Sequence, residues 1–110
     1  KLNKKEGRIN WNLTAEEIFN KLKAFKIFPG VYTYAHNEEL KIIDGNPASE
    51  THSSIPGTIL KNQSTFNIAC GKQTIFSINL IQKPGKKILT FSEFLRGSKI
   101  KVGDIFDSEQ

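Results

Sequence analysis

Cysteine occurs once in the 110 residues, at Cys70. No intrachain disulfide can form, and a zinc site built from several cysteines is excluded. This usage fits a reducing cytoplasm. No apolar run approaches the roughly 20 residues of a membrane span, and no charged-then-apolar leader opens the chain. Histidine occurs twice, and neither His36 nor His52 has a second His or a Cys at metal-ligand spacing, so both read as surface residues and no metal is assigned. The glycines at 7, 30, 45, 57, 71, 85, 97 and 103 never group into a phosphate-binding loop after a strand. Asp44 and Glu50 could face each other across a loop, yet no apolar pocket in the sequence would split their pKa values. Cys70 falls on the apolar face of a predicted strand, where a small buried residue is the reading rather than a nucleophile. A free-standing enzyme has little to work with here.

What remains is one domain of common size, able to bury roughly two-thirds of its unfolded surface. Its 37% hydrophobic and 25% charged residues exclude a disordered chain. Sixteen Lys+Arg against 11 Asp+Glu give a net charge of +5, which favours an anionic partner, nucleic acid first. The charge is uneven. Residues 1–8 carry Lys1, Lys4, Lys5 and Arg8 against Glu6 alone. Residues 82–103 carry Lys83, Lys86, Lys87, Arg96, Lys99 and Lys101 against Glu93 alone. The middle, 36–56, is mildly acidic, with Glu38, Glu39, Asp44 and Glu50 against Lys41. A fold that brings head and tail together would form a cationic surface able to hold a phosphate backbone and release counterions.

Residues 1–8 read as a polar lead-in, more linker than core. Thr14-Ala15-Glu16-Glu17 is a capping box, and Ile18, Phe19, Leu22 and Phe25 then form one apolar stripe, predicting a helix over 14–25 supported by a Glu17–Lys21 pair. Pro29-Gly30 ends it. Strands are predicted over 31–34 and 40–43 about an Asn37-Glu38 turn, with Asp44–Pro47 breaking the second and a loop over 46–56. Strands over 57–60, 65–70 and 73–81 follow, with Phe66, Ile68 and Cys70 on one face of the middle one and Phe76, Ile78 and Leu80 on one face of the last. Thr90-Phe91-Ser92-Glu93 is a second capping box, opening a short helix that Gly97 can cap. The expected fold is mainly β with two helices, a meander closing into a small OB-like open β-barrel.

Lys83-Pro84-Gly85-Lys86-Lys87 places three cations on a turn whose glycine permits close approach to a phosphate oxygen. Arg96 ends the short helix, where a cation also suits the macrodipole. Lys99 and Lys101 alternate with Ile100 and Val102, so an extended tail would project both on one side. Phe91 and Phe94 read as core. Tyr32 and Tyr34 share one strand face and read as packing more than as stacking platforms. The pattern suggests recognition of backbone and shape over base reading.

Lys1-Leu2-Asn3-Lys4-Lys5-Glu6-Gly7-Arg8-Ile9-Asn10-Trp11 resembles the K-(I/L)-x-K-x-(E/D)-x-x-I-(D/N)-W segment that leads out of the catalytic domain in bacterial methionyl-tRNA formyltransferases. The resemblance continues through Phe25, Phe28-Pro29-Gly30-Val31-Tyr32-Thr33, Pro56-Gly57-Thr58-Ile59, Gly85-Lys86-Lys87, Phe94-Leu95-Arg96-Gly97 and Gly103-Asp104-Ile105-Phe106. Lys26-Ile27 departs from the Asn-Pro common before the aromatic-Pro-Gly turn. Asn10 stands where Asp is usual and still permits capping-type contacts. The resemblance implies a C-terminal β-barrel domain over 11–110, preceded by a basic interdomain linker remnant over 1–10. It implies a cytoplasmic parent enzyme of translation initiation that moves a formyl group from 10-formyltetrahydrofolate to the amino group of methionyl-initiator tRNA. The folate and the catalytic residues belong to the N-terminal domain, so this chain alone is expected to be inactive. A tRNA-holding role carries over onto Lys1, Lys4, Lys5 and Arg8 and onto the 83–87 loop. Two alternatives stay open: the C-terminal domain of a UDP-sugar or formyltetrahydrofolate enzyme with a structural role, and a stand-alone nucleic-acid-binding barrel.

Overall fold

The computed structural model describes residues 3–62 and 65–107. Lys1, on which one cationic assignment falls, lies outside them. In chain order come a 3-10 turn at Lys4–Gly7, α1 Ala15–Phe25, β1 Tyr32–Ala35, β2 Glu38–Ala48, β3 Ile59–Asn62 and β4 Thr65–Ala69. A second 3-10 turn at Gly71–Gln73, β5 Ile75–Gln82, β6 Ile88–Thr90 and α2 Phe91–Arg96 complete it. The strands form one antiparallel sheet in the order β1-β2-β5-β4-β3, with β6 added beside β5.

This sheet curls into a half-barrel, and the segment 103–107 spans the gap between its two edges. On one side the Gly103 and Ile59 amides donate to the Ile59 and Asp104 carbonyls, and Phe106 N–H to Gly57. On the other, Asp107 N–H donates to the Tyr34 carbonyl of β1, beside Ile9 N–H on Tyr32. Main-chain groups that would otherwise face water at both sheet edges are thereby paired. The helices pack on the sheet, α1 against β2 and β5, α2 against β4, β5 and β6. The core centres on Trp11, which stacks on Phe106 at 5.8 Å and 18° and meets Phe76 at 6.5 Å. Its indole N–H donates to Thr33 Oγ1 at 2.9 Å, so the two buried polar groups satisfy each other.

Both capping boxes form as the sequence predicts. Several other expectations change. Within the 1–8 lead-in, Lys4–Gly7 form a 3-10 turn with Gly7 buried, and Ile9 and Trp11 just beyond it belong to the core. The Glu17–Lys21 pair does not form: the Glu17 carboxylate is taken by Thr14, and Lys21 Nζ donates instead to the Arg8 carbonyl at 3.0 Å. The hairpin turns on His36-Asn37, both at positive φ as a two-residue turn requires, and Glu38 is already in β2.

Asp44–Pro47 does not break β2. Register shifts on either side of Asp44 absorb the irregularity, and the strand runs on to Ala48. β1 pairs with β2 only as far as Lys41, leaving one edge of β2 without a partner strand around Pro47, where proline is tolerated. Gly45 is needed there, since a Cβ would sit 2.6 Å from the Ser77 carbonyl oxygen. One-faced burial also fails in two strands. Asn67 and Ala69 are buried along with Ile68, and Ile75 and Ile81 along with Phe76 and Ile78, while Leu80 is only half-buried. Cover on both sides of the sheet removes the alternation. β6, three residues long, gave no sequence signal apart from its neighbouring loop.

Candidate nucleic-acid interface

Tyr32 and Tyr34 stand on the outer face of β1, because the strand turns Thr33 and Ala35 inward. The 3-10 turn Lys4–Gly7 folds the head across them. Lys4 Nζ lies 4.9 Å from the Tyr32 ring centre, and the Arg8 guanidinium 4.2 Å from that of Tyr34. The tyrosines therefore organise the cations, rather than packing into the core. Together with Lys5 they line a cleft of about 730 Å3. A second depression, about 230 Å3, shares Tyr32 with it and is lined by Glu39, Lys41, Lys83 and Gly85. A third shares Arg8 and Tyr34 and reaches His36 and Asp107.

Acidic residues hold this surface in place. Glu39 lies 3.1 Å from Lys4 and accepts a hydrogen bond from the Tyr34 hydroxyl at 3.2 Å. Its hydrogen bond raises the Lys4 pKa above the ordinary value. Tyr34 is also raised, by burial first and by Glu39 next. Glu38 lies 3.4 Å from Lys83, whose ammonium is 6.0 Å from the Phe94 ring centre. Asp107 lies 3.5 Å from Arg8. Asp104 accepts the Lys101 amide and a contact to His36 Nε2 at 3.1 Å, which lower its pKa, the backbone bond most.

The cationic loop is a tight turn, Lys86 N–H on the Lys83 carbonyl at 3.1 Å, with Pro84 and Gly85 in its two central positions. Gly85 has a φ of +72 and nothing within 4 Å of where a Cβ would be, so it faces open space. Lys86 and Lys87 are exposed beside it. Lys4, Lys5, Arg8 and Lys83 are thus brought around adjoining clefts. Arg96, Lys99 and Lys101 are exposed but line none of these clefts. Arg96 ends α2 and donates back to Ser92 Oγ at 3.0 Å, and the expected extended tail is broken by a turn in which Asp104 N–H meets the Lys101 carbonyl.

Among the described residues no group of three or more His, Cys, Asp or Glu could hold a metal. Burial pushes the Cys70 thiol up to about 12, which keeps it protonated and unreactive. His52 bridges Cys70 and Ser54: Nε2 donates to the Cys70 carbonyl at 2.8 Å, and Nδ1 accepts from the Ser54 amide. It pins the segment after β2. No described helix is long and apolar enough to cross a membrane.

Residues 1–99 match the family described as formyl transferase, C-terminal domain. The chain belongs to that family. As a formyl transferase C-terminal domain it is 41% identical over 102 residues to the methionyl-tRNA formyltransferase of Rickettsia bellii (strain RML369-C), a match covering 93% of this chain and 33% of that protein. It is 33% identical over 107 residues to that of Sulfurihydrogenibium sp. (strain YO3AOP1), covering 96% and 34%. With that of Enterococcus faecalis (strain ATCC 700802 / V583) the identity is 36% over 97 residues, covering 87% and 31%. The domain spans about a third of the length of these curated relatives.

In this formyl transferase C-terminal domain Glu38, Glu39 and Lys41 also border the candidate interface. In the sequence they were available only as part of a mildly acidic stretch. The outward placement of the tyrosines follows from the bond that makes Thr33 the inward residue meeting Trp11, which no local sequence signal announces.

Proposed function

We propose that this domain is the RNA-holding part of a methionyl-tRNA formyltransferase, whose parent polypeptide formylates the amino group of methionyl-initiator tRNA at the start of cytoplasmic protein synthesis. In this reading residues 1–10 are the basic linker and 11–110 the barrel. A catalytic domain of the same polypeptide binds 10-formyltetrahydrofolate and carries out the transfer, and none of this chain's residues is given a role with the folate. The relatives named methionyl-tRNA formyltransferase support the parent activity. The observation that carries the RNA role is the gathering of Lys4, Lys5, Arg8 and Lys83 around adjoining clefts on β1 and β2. Lys86 and Lys87, exposed beside Gly85, extend this surface, Lys1 is included from its place in the sequence alone, and Arg96, Lys99 and Lys101 are outlying contributors. Flexible ammonium groups beside an exposed turn suit phosphate oxygens and not a particular base sequence.

Fluorescence anisotropy with a labelled initiator tRNA transcript tests the reading across a salt series. Binding is expected to weaken steeply with salt, and replacing Lys83, Lys86 and Lys87 by Met should reduce the slope by about one phosphate for each lysine in contact. Absence of binding at about 20 mM salt, or binding indifferent to salt, overturns it.

A further inference from the structure

We propose that Glu38 and Glu39 are resident stand-ins for phosphate: they hold Lys4 and Lys83 at the positions from which RNA phosphates displace them. The inference rests on the RNA-holding reading and adds to it a built-in competitor that sets selectivity.

Glu38 and Glu39 are consecutive at the start of β2, so their side chains leave opposite faces of the strand. One carboxylate therefore reaches Lys83 in the tight turn at 3.4 Å, and the other reaches Lys4 in the head at 3.1 Å. Two separate cationic elements are tied to one point. Both pairs are partly open to solvent, with the Lys4 and Glu39 side chains 61% and 25% exposed and those of Lys83 and Glu38 33% and 40%. Exposed pairs of this kind are weak, so a phosphate can take the place of the carboxylate.

Each lysine also keeps a second hold when its carboxylate leaves. Lys4 lies over Tyr32 and Lys83 over Phe94, so both ammonium groups stay located. Glu39 keeps the Tyr34 hydroxyl as a partner at 3.2 Å, so displacement does not strand it. Lys5, Lys86 and Lys87 form no ion pair among the described residues and supply the first, long-range attraction. A polyanion that brings phosphates to both lysines is accepted. One that reaches neither meets two carboxylates and is repelled.

The test measures anisotropy of this chain with an initiator tRNA transcript and with a double-stranded DNA of similar length, at about 0.1 M salt. Glu38→Gln with Glu39→Gln should bind the tRNA about three- to tenfold more tightly and the DNA tighter by at least as much, so selectivity narrows. Asp44→Asn with Glu50→Gln removes the same charge from carboxylates that pair with no Lys or Arg among the described residues. This control should change tRNA affinity by less than about twofold. In a Lys4→Met background, Glu39→Gln should lose its effect. If the wild type binds tRNA but the Glu38/Glu39 variant does not gain, or the control gains as much, or the effect survives in Lys4→Met, the inference is overturned and the RNA-holding reading stands. If the wild type binds no tRNA at about 20 mM salt, both fall.

Discussion

Thr33 and Trp11 show how one residue pair fixes the face assignments around it. The indole N–H donates to Thr33 Oγ1 at 2.9 Å in an environment that neither side chain shares with water. That bond makes Thr33 the inward residue of β1 and turns its neighbours outward. Thr33→Val keeps the shape and removes the acceptor, leaving a buried N–H unsatisfied at a cost of about 1–3 kcal/mol. Urea denaturation should show this loss without a change in the denaturant slope, and unaltered stability would contradict the assignment. Cys70 was legible as core from its strand face alone. The tyrosines were not, because Tyr serves equally as core filler and as outward platform, and only the Thr33 bond decides between them.

At the scale of elements, helix entry was the most legible feature. Thr14 and Thr90 each accept the amide three residues on, and Glu17 and Glu93 each reach back to the cap amide at 2.8 and 2.9 Å. Around α1 a further donor is satisfied from outside, as Ala15 N–H meets Thr74 Oγ1. These bonds hold both glutamates below their ordinary carboxylate values, the backbone bond to the threonine being the main cause in each. A lowered folded value means the contribution is complete above about pH 4–5 and is lost as pH falls through the folded values. The melting temperature should therefore drop on acidification below about pH 4.5. In Glu17→Gln with Glu93→Gln that acid-side decline should be shallower, and an unchanged decline would remove the boxes from the account. Capping is readable because every partner lies within four residues. β6 and the bulge in β2 were not, because their partners sit on β5 and nothing local announces them.

The whole molecule is closed by its last described residues. Phe106 stacks on Trp11, and its amide bonds Gly57, while the flanking residues reach β3 and β1. Phe106→Ala should destabilise the domain by about 3–5 kcal/mol in urea denaturation. Hydrogen exchange should quicken at the Asp107 and Ile59 amides, whose bonds span the two sheet edges. Retained protection at both would mean the sheet holds its curl without the segment. The barrel class was legible from strand number and spacing, but the means of closure was not: Gly103-Asp104-Ile105-Phe106 stood out only as a motif of the resemblance, with nothing local to show that it bonds both sheet edges. The cationic surface was legible as charge and not as geometry: head and 83–87 loop do converge on β1 and β2, while Arg96, Lys99 and Lys101 stay apart.

Ile9 and Asp107 bond the carbonyls of Tyr32 and Tyr34, two residues apart on the same edge of β1. Residues 9 and 107 therefore dock about 7 Å from one another along the strand. Topologically the domain is a ring interrupted at one strand edge. A Gly-Ser bridge from Asp107 back to the start of the head would complete the ring, and new termini could then be opened within the segment after β2. Such a circular permutant keeps the interior intact while moving its attachment points to the opposite end of β2, which makes the polarity of attachment an adjustable property of this fold.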